Sequence, residues 1–133
     1  MSILADTSGL IALIDGNDKH HNLVLPYYAD LLVPSTVLPE FDYLATKLLG
    51  TAVVREFYRG LTQGEVTYLE VELGDLERAF EIMDVYQDTP VGLVDASLVA
   101  LAERYGLRRV LTLDRRHFAM FRPKGLEHLE LLP

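Results

Sequence analysis

The sequence contains no cysteine. That absence excludes a disulfide framework, a thiolate zinc site, a cysteine-held iron–sulfur cluster and a cysteine nucleophile. No apolar run approaches the roughly 18 residues that a membrane-spanning helix needs. Met1–Asp6 lacks the basic region and apolar core of a signal peptide, so a cytoplasmic protein is the expectation. Basic charge is scarce as well. Twelve Lys and Arg stand against 20 Asp and Glu, a net charge of −8, which opposes unaided binding to a phosphate backbone. What is present is ordinary in bulk: 133 residues, 50% hydrophobic and 24% charged, the size and mix of one globular domain spanning 1–133.

The charge is unevenly placed. Glu65 to Asp88 holds eight acids and one base, Arg78, whereas Arg108 to Lys124 holds six bases and one acid, Asp114. An acid alone in the most basic stretch calls for an explanation.

Apolar periodicity and turn residues divide the chain into alternating strands and helices. Strands are expected at Ser2–Ala5, Leu31–Val33, Val66–Leu69, Arg109–Thr112 and Leu126–Leu131. Helices are expected at Ser8–Ile14, Asp18–Tyr28 (distorted at Pro26), Val37–Leu49, Thr51–Leu61, Asp75–Tyr86 and Val94–Tyr105, with a turn or short helix at Arg115–Phe118. Such alternation predicts an α/β fold with a largely parallel sheet of about four to five strands. Ligands in such folds sit at the carboxyl ends of the strands, where Asp6 and Asp114 are placed.

Two more carboxylates occupy awkward positions. Glu40 borders the apolar stripe of its helix, with Val37 and Leu44 as neighbours. Asp95 begins a helix that is apolar nearly all round. Taken singly, each acid has an ordinary role: Asp6 and Asp95 as helix caps, Asp114 in a turn, Glu40 bent to solvent. Taken together, an α/β sheet could bring all four to one end. Clustered carboxylates repel, so either protons or a cation must sit among them. An all-oxygen donor set suits Mg²⁺ or Mn²⁺, and such an ion lets an acidic protein hold a phosphodiester.

Four stretches carry a family resemblance: ILADTSGLIALID with Asp6, STVLPEFDYLATKLLG with Glu40, GLVDASLVALAERYG with Asp95 and VLTLDRRHF with Asp114. In this order and spacing the chain resembles PIN-domain proteins and, among them, the VapC-type ribonuclease toxins. The resemblance implies a three-layer α/β/α fold and Mg²⁺- or Mn²⁺-dependent cleavage of RNA. It implies that Asp6, Glu40, Asp95 and Asp114 form the catalytic acidic constellation, with Asp6, Asp95 and Asp114 as metal ligands. Thr7 and Thr112 would be supporting hydroxyls. It also implies a homodimer and a cognate VapB-like antitoxin.

Arg115 and Arg116 are the expected RNA-backbone contacts, with Arg122 and Lys124 as further candidates. Lys19, Lys47, Arg55 and Arg59 read as solvated surface, as do His20 and His21. His117 is placed at the cleft by its nearness to Asp114, Ser8 reads as a packing or capping residue, and Asp88 reads as a turn residue. The aromatic segments Tyr27–Tyr28, Phe41–Tyr43 and Phe57–Tyr58 are either core or partner surface. An RNA-processing nuclease outside a toxin–antitoxin pair, and a non-catalytic binding module, remain open alternatives. A phosphoaspartate enzyme is disfavoured, because Ser8 stands where that chemistry usually wants a second acid.

Overall fold

The computed structural model describes residues Met1–Pro133. Its centre is β1 (Ile3–Ala5), three aliphatic residues without solvent exposure. A strand buried on both faces reads as a continuous apolar run, as this one does. β1 pairs with β2 (Leu31–Pro34) on one side and β4 (Arg109–Leu111) on the other. β3 (Thr67–Leu69) and β5 (Glu130–Leu132) form the edges, giving the order β3-β2-β1-β4-β5 with every pair parallel. The chain leaves β1 towards β2 and returns later to β4 on the opposite flank. The crevice between the ends of β1 and β4 is therefore a topological switch point.

Helices cover the sheet in two groups. α1 (Thr7–Ile14), α2 (His21–Val24), α3 (Val37–Leu49) and α4 (Thr51–Thr62) pack on one another, and α5 (Leu73–Val85) packs on α6 (Leu93–Tyr105). α7 (Arg115–Ala119) is a short helix just beyond β4. One apolar cluster of 29 buried residues joins these layers. α6 supplies an unbroken buried stretch from Ala96 to Ala102, as its all-round apolar sequence requires.

Two expected elements differ. The helix expected over Asp18–Tyr28 is the four-residue α2 followed by a 3₁₀ turn over Leu25–Asp30. Pro26, near the start of that turn, has no N–H for an α-helical bond and breaks the run. The last strand starts at Glu130, not Leu126. Gly125, at φ 79°, turns the chain, and only residues from Glu130 reach β4.

Gly9 sets how closely α1 approaches β4. A Cβ at this position would lie 2.7 Å from the Leu111 carbonyl oxygen, inside any tolerable contact. That same oxygen accepts the Asp6 amide at 3.0 Å. Close packing at Gly9 thus brings the start of α1 against the end of β4.

Candidate active site

Asp6 follows β1 and takes the N-cap position of α1, but its carboxylate makes no cap hydrogen bond. It points elsewhere: Thr112 Oγ1 donates to Asp6 Oδ2 at 2.8 Å and Ser8 Oγ donates to the same oxygen at 3.3 Å. Thr112, fully buried just past β4, also accepts the Asp114 amide at 3.0 Å. Ser8 Oγ accepts the Leu113 amide at 2.9 Å. Two hydroxyls thus lace the end of β1 to the end of β4. The structural work of Ser8 goes beyond packing at a helix start. Its only sequence signal is a hydroxyl two residues after Asp6.

Asp95 lies in the first turn of α6, three residues after the N-cap Gly92, so it does not cap that helix. Asp114 does cap α7, accepting the His117 amide at 3.4 Å. Glu40 is solvent-exposed in the first turn of α3. A cleft of about 310 Å³ is lined by Asp6, Thr7, Ser8, Glu40, Asp95 and Asp114, with Ile11 and Leu44 as apolar walls. All four acids therefore converge on one cavity.

The electrostatics reflect that crowding. Burial pushes the Asp6 carboxyl above its ordinary range, opposed by the Thr112, Thr7 and Ser8 hydrogen bonds. Asp95 is pushed up to about 6, first by burial and then by the charge of Asp6, with His117 acting against the shift and Asp114 and Glu40 adding to it. The Thr7 hydroxyl is buried against the cleft and has no hydrogen-bond partner in the protein. An orphaned hydroxyl beside under-neutralised carboxylates fits a hydrated divalent cation, which would supply both water and charge.

His117 reaches this group. Its Nδ1 lies 3.1 Å from Asp114 Oδ2 and 3.4 Å from Asp95 Oδ2. Asp88 sits in an exposed turn after α5 and does not line the cleft.

The basic stretch is less uniform than its sequence suggests. Arg116 is exposed and makes no ion pair, whereas the Arg115 guanidinium donates to the Pro133 carbonyl. Arg122 is structural: it donates to the carbonyls of Ala119, Met120 and Phe121, closing the end of α7. The Lys124 amide donates to Glu103, beside Arg78, and Lys124 does not line the acidic cleft. Among the aromatics, Phe41 and Phe57 are core, with ring centroids 5.0 Å apart, while Tyr43 is 65% exposed. Tyr28 and Phe57 line an apolar groove with Leu13, Ile14, Leu25 and Val53.

A parallel five-stranded sheet with four acids converging near its switch point defines an α/β domain with an acidic cleft. The family model of the PIN domain matches residues 3–122, and the chain belongs to that family. It is 36% identical over 135 positions to Ribonuclease VapC26 of Mycobacterium tuberculosis, a match covering 98% of this chain and 100% of that protein. Solved structures share the fold. VapC20 of Mycobacterium tuberculosis, described as a sarcin-ricin loop cleaving toxin, superposes with a TM-score of 0.77 at 21% identity, covering 86% of this chain and 91% of that one. DNA-bound VapBC of Salmonella typhimurium gives 0.70 at 24% identity, covering 98% of both chains. No helix is long and apolar enough to cross a membrane.

Proposed function

We propose that this chain is a metal-dependent endoribonuclease, the toxin of a VapBC-type pair, acting on RNA and held in check by a VapB-like antitoxin. The observation that carries the reading is the convergence of Asp6, Glu40, Asp95 and Asp114 on one cleft beside an unpartnered Thr7 hydroxyl. The likeness to a protein named as a ribonuclease along nearly its whole length supports it.

Asp6, Asp95 and Asp114 would hold Mg²⁺ or Mn²⁺. Such an ion, when bound, supplies positive charge for the phosphate and lowers the pKa of water. The chain's own residues do the rest. Thr112 and Ser8 keep Asp6 in one orientation. Glu40, exposed at the cleft, would take a proton from the attacking water. Attack in line on phosphorus would form a new P–O bond and break the bond to the 3′ oxygen, which takes a proton from solvent water as it leaves. The products are a 5′-phosphate and a 3′-hydroxyl, because the ribose 2′-OH takes no part. Arg116, exposed on α7 and without an ion pair, would contact the RNA backbone, and Arg115 would join it on releasing Pro133. A homodimer belongs to the same proposal, with sedimentation as its check.

The test is cleavage of a single-stranded RNA panel carrying 2′-O-methyl sugars at alternate positions. Divalent-dependent cutting next to a modified sugar, with 5′-phosphate ends and no activity in Asp6→Asn, is expected. Cutting that requires a free 2′-OH and leaves 2′,3′-cyclic ends would sink the mechanism. Expression of the wild type should arrest growth, relieved by co-expressing the antitoxin. Cleavage without growth arrest would favour the RNA-processing alternative.

A further inference from the structure

His117 is not one of the four acids, yet it is the only basic side chain that forms an ion pair with Asp95 or Asp114. Its position is built. Asp114 caps α7, which puts His117 one turn above it, and the next residue, Phe118, is buried and edge-on to Phe121 at 5.7 Å. The backbone of His117 is therefore clamped between a cap and an aromatic plug. The ring turns Nδ1 inwards, towards two carboxylates at once.

A hydrogen bond explains only half of that arrangement. One Nδ1–H can point at Asp114 Oδ2, 3.1 Å away, but the contact to Asp95 Oδ2 at 3.4 Å is longer than an ordinary N–H···O bond. One potential ligand atom from each of Asp95, Asp114 and His117 lies within 4.8 Å of the other two. Ligands about 2.1 Å from an ion stand about 3.0 Å apart at an octahedral corner and about 3.4 Å apart in a tetrahedron. The two observed spacings match a coordination edge.

Resting on the nuclease reading, we infer that His117 is a nitrogen ligand to the ion held by Asp95 and Asp114, and that it biases the site from Mg²⁺ towards divalent transition ions. Mg²⁺ is a hard ion that prefers oxygen and water, whereas imidazole suits transition ions. With His117 added to Asp6, Asp95 and Asp114, the site offers three carboxylates and one nitrogen, and Mn²⁺ gains more from the nitrogen than Mg²⁺ does.

The experiment measures metal binding, not cleavage. The chelator-stripped full chain is titrated calorimetrically with MnCl₂ and with MgCl₂, for the wild type, His117→Ala and Asp95→Asn. Mn²⁺-loaded samples are examined by electron spin-echo envelope modulation for coupling to nitrogen. In His117→Ala, Mn²⁺ affinity is expected to fall about ten-fold or more while Mg²⁺ affinity changes by less than about three-fold. Nitrogen coupling is expected in the wild type and not in His117→Ala. Equal losses for the two ions, or Mn²⁺ bound without nitrogen coupling, overturn the histidine's role and leave the carboxylate site standing. A wild type that binds neither ion overturns the inference together with the nuclease reading beneath it. Circular dichroism melting of each variant separates ligand loss from unfolding.

Discussion

Thr112 Oγ1 donates to Asp6 Oδ2 at 2.8 Å, a buried bond between residues 106 positions apart in sequence. The same hydroxyl oxygen accepts the Asp114 amide at 3.0 Å. A single side chain thus sets the orientation of one acid and the backbone position of another. Thr112→Val keeps the shape but removes both interactions, leaving Asp6 with one hydroxyl partner. The expected result is a loss of about 1–3 kcal/mol in stability and about 10- to 100-fold in activity and metal affinity, with Thr112→Ser restoring most of each. Chemical denaturation and metal titration check it. A Val variant with full metal affinity would show that Thr112 is only packing.

Asp95→Asn is expected to stabilise the metal-free protein at neutral pH while abolishing cleavage. The folded-state pKa of Asp95 is raised from 3.8 to about 6, so the folded chain holds a proton there that the unfolded chain has released. Stability therefore falls as pH rises from about 4 to about 6 and stays lower above that, by about 3 kcal/mol from the full shift and about 2 kcal/mol after solvent screening of this partly exposed group. Asparagine carries no charge and avoids the loss. In chelator at pH 7.5 its melting temperature should exceed the wild type's by about 6 °C, and the gap should close below about pH 4. A lower melting temperature for the variant would assign the Asp95 charge a structural role at the start of α6.

Gly9→Ala is expected to damage the site without touching an acid. The new Cβ would meet the Leu111 carbonyl at 2.7 Å and the Leu111 side chain at 2.9 Å. Relief requires α1 and β4 to separate, which strains the Asp6 N–H bond to Leu111 O and the hydroxyl ties beyond it. A cost of about 1–3 kcal/mol is expected, together with weaker Mn²⁺ binding at a temperature where the variant is still folded. Gly16→Ala, where a Cβ meets nothing within 4 Å, is the matched control.

Arg115 and Arg116 should separate in RNA binding. With Ca²⁺ replacing Mg²⁺ to block turnover, Arg116→Ala should lower affinity and reduce the slope of log K against log salt by about 0.7, one single-strand phosphate contact. Arg115→Ala should do less, because its guanidinium is engaged by the Pro133 carbonyl. Equal, unchanged slopes in both variants would move the RNA path elsewhere.

Local patterning already determined much of this protein. The apolar runs at Ile3–Ala5 and Val110–Leu111, the helical spacing of α3 and α6, and the glycine stops were enough for the parallel α/β architecture. The positions of Asp6 and Asp114 after strands, and of Glu40 and Asp95 on apolar helices, were enough to nominate four acids. These features depend on neighbours a few residues away, which a sequence displays directly. Pro26 illustrates the limit: its distortion was visible, but not its extent, a helix cut to four residues and a 3₁₀ turn running up to the start of β2.

Only tertiary structure decided which hydroxyl holds which carboxylate. Ser8 and Thr112 meet because β1 and β4 are adjacent strands although 104 residues separate the two side chains. The same holds for His117, whose Nδ1 faces Asp95 as well as its near neighbour Asp114. Charge counting placed Arg122 with its basic neighbours, whereas the fold turned it onto the carbonyls that end α7. The physical reason is common to all three. Sequence pattern records which face of an element is apolar, but side-chain direction and partner are set when non-local strands pair and the sheet brings their ends together.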